Sequence, residues 1–196
     1  AAIVARIWRY GAVSLQFHLP IARGTAWNDL VRFAAMAEHD NDIDSISSTR
    51  IREVPNRLRS ALKLPHAPAA AEDYIVYLLQ SIEGAAASEL PERVNSPALL
   101  LGEPETRLSN ETRRAILDNV IAYSEQDLTV VDWNSALVID PTGGDDVADI
   151  LEFANTHAVE FRYFDDLLDE RLERLYDQLQ ERRPSLLRRE FEHLSH

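Results

Sequence analysis

The residues best placed to do chemistry are carboxylates at helical spacing. Glu160, Asp165 and Asp169 fall in residues 145–183, a run that holds neither proline nor glycine. Asp165 follows Arg162 by three positions and precedes Asp169 by four, so these side chains share one helical face. Carboxylates so arranged can hold a divalent ion or act as acid and base. With Asn155, His157 and Asp166 nearby, Glu160, Asp165 and Asp169 are the candidate metal ligands of a metal-dependent hydrolase or nuclease. Such sites draw further ligands from facing helices, and the sequence identifies none. The competing reading makes Asp165 a polar position in an apolar seam, where it sets register or pairs with an arginine.

A second chemistry belongs to residues 45–63, where Arg50, Arg52, Arg57, Arg59 and Lys63 face only Glu53. Arginines at this density suit an anionic partner such as RNA, phospholipid or the protein's own acidic helix. A solvated face that pairs internally is the plainer alternative. Asp127, Asp132, Asn134 and Asp140 gather around two short strands and are turn-forming residue types. Residues 40–44 open like a calcium loop, with Asp40, Asp42 and Asp44 at alternate places. Ser45 stands where that loop needs glycine, however, and Ile51 where it needs glutamate. The expectation there is a solvated turn. The histidines His18, His39, His66, His157, His193 and His196 form no metalloprotease pair with glutamate. There is no phosphate-cradling glycine loop, no Gly-x-Ser-x-Gly elbow and no Ser-x-x-Lys pair. No catalytic residue and no cofactor are assigned.

The helix that carries the carboxylates dominates the chain. Val147, Leu151, Ala154, Ala158, Phe161, Leu168, Leu172, Leu175 and Leu179 step by four and three, apart from Asp165, which occupies a seam position. Gly143, Gly144, Asp145 and Asp146 suit its start, Arg182 and Arg183 its end, and Pro184 predicts a stop. Such a rod is roughly 55 Å long, whereas a compact domain of this size has a radius of gyration of about 16 Å. The helix is therefore expected to project. Its outer seam, Phe161, Asp165, Leu168, Leu172, Leu175 and Leu179, needs a partner.

Upstream, residues 3–19 read as strand, with a bulge or bend at Gly11. Thr25 predicts the cap of a helix that buries Trp27, Leu30, Val31 and Ala34. A helix is expected from about Pro55. Residues 73–82 predict a central strand. Ala98 to Leu101 read as a short strand or a buried loop. Ser109 predicts the cap of a helix with Ile116, Leu117, Val120 and Ile121 inward. Residues 128–132 and 136–139 predict a hairpin. The sum is an α+β fold: a small mixed sheet packed with helices, followed by one long C-terminal helix and the start of another. Residues 1–141 form the head domain, and residues 142–196 a coiled-coil-like extension, the long helix and a truncated helical hairpin.

The totals narrow the function further. In 196 residues the formal charge is −13, with no cysteine. Disulfides and thiolate zinc sites are excluded, and bulk nucleic-acid binding is disfavoured. Twelve acids against three arginines lie in residues 145–181. No apolar run reaches the roughly 18 residues of a membrane span. The chain opens inside a hydrophobic stretch and closes on Leu187, Phe191 and Leu194 at helical spacing, so a longer native protein is expected.

The string Tyr123-Ser124-Glu125-Gln126-Asp127-Leu128-Thr129-Val130-Val131-Asp132-Trp133-Asn134-Ser135-Ala136-Leu137-Val138 carries a resemblance. So do Leu151-Glu152-Phe153-Ala154-Asn155 and Arg162-Tyr163-Phe164-Asp165-Asp166-Leu167-Leu168-Asp169. Over about residues 10–180 the chain resembles a set of bacterial proteins related distantly to the mitochondrial family "required for meiotic nuclear division". That resemblance implies a domain with no assigned activity, an anchor near the C-terminus of the full protein, and assembly or tethering work in organelle translation. It transfers no functional residue.

The reading is therefore a non-enzymatic scaffold or tether, the cytoplasmic part of a larger membrane-associated protein. Its partner is a protein, either itself or another helix. Membrane contact comes only through segments absent from this chain. A metal-dependent hydrolase and an RNA-binding module are the alternatives.

Overall fold

A computed structural model describes residues 2–38, 41–57, 60 and 71–193; of residues 181–193 only the backbone is described. The chain is an α+β protein with a long C-terminal helix. Asp40, Arg59, Lys63, His39, His66 and His196 lie outside the described residues.

Two strands, β1 (Ala2–Ile7) and β2 (Val13–His18), pair antiparallel, with Ile7 opposite Val13. The single strand expected over residues 3–19 is thus a hairpin. Gly11 is not a bulge but part of the reversal: its φ is +103° and its N–H donates to Trp8 O at 3.0 Å. A left-handed residue at the turn is cheap only for glycine, and it folds one alternating run into two strands.

Helix α1 (Trp27–Glu38) buries Leu30, Val31 and Ala34 as its spacing predicts. Thr25 is not the cap: α1 begins at Trp27 with Ala26 O accepting from Asp29 N and Leu30 N, and the Thr25 hydroxyl donates to Ala22 O at 2.7 Å. Helix α2 (Asn41–Arg57) replaces both the solvated turn at residues 40–44 and the helix from Pro55. Asp42 and Asp44 sit in its first turn, where the positive helix end favours them, and Arg57 sits in its last. Pro55 falls close enough to the end to spoil little. A helical Asp42–Asp44 pair is not a calcium loop.

The main sheet has four strands in the order β3-β6-β5-β4. They are β3 (Ile75–Leu79), β4 (Val120–Ile121), β5 (Leu128–Val131) and β6 (Ser135–Ile139). The β5–β6 hairpin forms as expected, with Val131 opposite Ala136. β3 does not sit at the centre. It is an edge strand, parallel to β6, and β6 takes the central place with every residue buried. An unbroken apolar run predicts burial, yet in β3 only Tyr77 is buried, and Leu78 is exposed.

Between β3 and β4 the chain makes a 3-10 turn (Ala87–Glu89) and the helices α3 (Leu90–Arg93), α4 (Ser96–Leu100) and α5 (Asn110–Leu117). The 98–101 stretch is the end of buried helix α4, neither strand nor loop. Leu99 is fully buried, and Leu100 O accepts from Ser135 Oγ at 2.7 Å. Ser109 caps α5 as its type predicts, accepting from Thr112 N at 3.0 Å. The helix ends at Leu117, so Val120 and Ile121 leave it to form β4. The core is centred on Leu90, Leu99, Leu128, Val130 and Leu137, with α4 against β6, α5 against β5 and α1 against α4.

Helix α6 (Asp146–His193) is continuous over 48 residues, about 72 Å. It passes through Pro184, where a stop and the start of a second helix are expected. A proline inside a solvated helix removes one hydrogen bond and kinks the rod at a cost near 3 kcal/mol, which does not force a break.

Candidate functional site

The entry to α6 is set by a turn. Asp140 Oδ1 accepts from Thr142 N and Thr142 Oγ1, each at 2.8 Å, and Gly143 N donates to Asp140 O at 3.0 Å. The Thr142 bonds hold the Asp140 carboxyl below its ordinary pKa. Gly143 has φ +68°, and a Cβ there would meet Gln80 Nε2 at 2.3 Å. This corner aims α6 back at the β1–β2 hairpin.

The docking of α6 is polar and aromatic. Glu152, nearly buried, accepts from Arg6 at 2.5 Å, Ser14 Oγ at 2.6 Å and Gln16 Nε2 at 2.9 Å. Arg6 also reaches Asp149 at 2.7 Å. Thr156 donates to Phe153 O, so Tyr10 O–H donates to Thr156 Oγ1, at 2.6 Å. The Tyr10 ring stacks on His157, with centroids 4.5 Å apart, and Phe153 meets that imidazole edge-on at 4.4 Å. Trp8 completes the cluster against Tyr10 and Phe153. His157 Nδ1–H donates to Glu160 Oε2 at 3.0 Å, which fixes its tautomer. Arg162 pairs with Glu72, just before β3.

Beyond Phe164 no described side chain of α6 bonds to the head; the Arg174–Glu170 pair lies within the helix. Phe161 is 72% exposed, Leu168 58%, Leu172 60%, Leu175 55% and Leu179 65%, and Asp165 is exposed beside them. The packed face of the first turns differs from the expected seam. Ala154 and Ala158 point to solvent, while Glu152 and Thr156 point to the hairpin.

The structure splits the carboxylate cluster read from the sequence. Glu160 serves His157, Arg162 serves Glu72, and Asp165, Asp166 and Asp169 are exposed. Among the described residues no group of three or more histidines or acids is placed to hold a metal ion. Arg50 and Arg57 both pair with Glu53, at 3.0 and 3.4 Å, while Arg52 is exposed without an ion pair among the described residues. Asp127 accepts from Ser124 and from Tyr123 N, bonds that lower its pKa. Asp132 Oδ2 and Asn134 Oδ1 are buried without hydrogen-bond partners among the described residues, and the Tyr74 hydroxyl donates to Asp132 O and Ser135 O. Burial, then the Asp132 charge, push the Tyr74 hydroxyl up to about 12.

The sequence reading missed Arg6, Tyr10, Ser14 and Gln16 as anchors. One signal was available: a lone arginine inside an apolar strand requires carboxylates, and Asp149 with Glu152 offers two at i, i+3.

Among the described residues no helix is long and apolar enough to cross a membrane. A family described as "Uncharacterized protein MJ0711, N-terminal domain" matches residues 1–146, which ends the match on the first residue of α6. Neither a search of curated proteins nor one of solved structures found a match.

Proposed function

The chain belongs to that family, and we propose that it works as a non-enzymatic scaffold or tether whose α6 seam pairs with a second helix or another copy. The observation that carries this is the exposed row Phe161, Leu168, Leu172, Leu175 and Leu179 on a helix whose bonds to the head, among the described residues, all lie before Phe164. Burying one leucine is worth about 1.5–3 kcal/mol, so a helix presenting four is poised for coiled-coil pairing. On this reading Asp165 is the register-setting polar seam residue. The resemblance to the "required for meiotic nuclear division" family favours tethering on the cytoplasmic face of a membrane, through an anchor in other sequence.

Light scattering over a concentration series, alone and with candidate helical partners, tests the reading. Concentration-dependent association that Leu168→Ser with Leu175→Ser abolishes is expected. A strict monomer whose residues 161–179 exchange amides like an unstructured peptide overturns it.

A further inference from the structure

We propose that the free edge of β3 takes up an extended, basic segment of a partner protein as an added strand. Among the described residues β3 is hydrogen-bonded on one side only, to β6, and β2 on one side only, to β1. Ile75 N donates to Asn134 O, and Asp140 N donates to Leu79 O, which puts residues 75, 77 and 79 on the β6 side. By the period of two, the amides and carbonyls of Val76 and Leu78 point the other way. Among the described residues no backbone group pairs with them.

Edge strands are ordinarily blunted by lysine, proline, a bulge or a covering element. The Ile75–Leu79 strand contains no such residue. Its edge opens on a cavity of about 2420 Å³ that β2, α1, α2 and the docked turns of α6 also line. Val13, Leu15 and Phe17 of β2 give that cavity an apolar wall. A segment laid along β3 gains main-chain bonds at Val76 and Leu78 and sets alternate side chains against this wall.

Charge selects the occupant. Eight carboxylates line the cavity against Arg9 and Arg23. Glu72, Glu152 and Glu160 are engaged with Arg162, Arg6 and His157. Asp73 and Glu83, exposed at the two ends of β3, have no ion pair among the described residues, and neither have Asp44 and Asp145. A strand of lysine or arginine alternating with apolar residues meets both demands.

The test uses the whole chain and a short synthetic peptide alternating lysine and valine. Two controls accompany it: a glutamate–valine alternation, and a lysine peptide with proline in place of valine, which keeps the charge but loses strand pairing. Anisotropy reads binding, and amide exchange reads Val76 and Leu78. The lysine–valine peptide is expected to bind and to slow exchange at both amides about tenfold or more. Asp73→Asn with Glu83→Gln, both at exposed positions, is expected to weaken binding about fivefold. Equal binding by the proline peptide, equal protection by the glutamate peptide, or no slowing at Val76 and Leu78 overturns the proposal.

Discussion

The two halves of α6 are built from the same kinds of residue and put them to opposite uses. In the first turns the contacts are a glutamate with three donors, a threonine hydroxyl and a histidine between aromatic rings. In the later turns the leucines are more than half exposed. A helix is ordinarily held by its apolar stripe and solvated by its polar one. Here the polar side holds, and the apolar side is left over. Directional bonds fix where the rod leaves the head, and the apolar surface beyond them is exposed.

The largest effect should come from the outer half. Leu172→Asp with Leu175→Asp is expected to raise any dissociation constant at least about a hundredfold, with the melting of the head unchanged. Loss of head stability in that variant would mean the two halves are not separate. Next comes the hinge of the anchored half. Glu152→Ala removes an acceptor from Arg6, Ser14 and Gln16, leaving Arg6 with Asp149 alone of its two carboxylates, and should cost about 2 kcal/mol. Denaturant unfolding measures the loss, and amide exchange should place it in β2. Tyr10→Phe keeps the ring stack but deletes the bond to Thr156, and calorimetry should find about 1 kcal/mol lost.

The effect confined to alkaline pH comes last, and it belongs to the head rather than to α6. Burial, then the Glu38 charge, lift the Tyr77 hydroxyl to about 12, as burial and Asp132 lift Tyr74. Unfolded tyrosines ionise near 10, so between about pH 10 and 12 the unfolded state holds fewer protons and stability falls as pH rises. Tyr77→Phe should flatten that fall, as read from melts across the range.

What could be read from the sequence was local. Ser109 caps α5 because a serine oxygen meets an N–H three residues on. β5 and β6 are short apolar runs that reverse over three residues, and α1 and α6 show helical spacing, broken in α6 only at Asp165. Pairing decided the rest. Residues 3–19 alternate equally well as one strand or as two. Nothing in Ile75–Leu79 says that one side is bare, and α2 overrode its proline because its carboxylates suit the first turn. The seam was legible from Phe161 onward. Before it, the packed face was set by Arg6 and Tyr10, far away in sequence.

The parallel partnership of β3 with β6 also has a cost in time. Ile75 pairs with Ser135 and Leu79 with Ile139, so on the ribosome β3 is finished sixty residues before its neighbour exists. At ordinary rates of synthesis that is a wait of about 3 to 12 s, during which α1 of the same core cluster is already made but the strand that takes the ladder bonds of β3 is not. A nascent chain of this protein should therefore lean on chaperones in that interval.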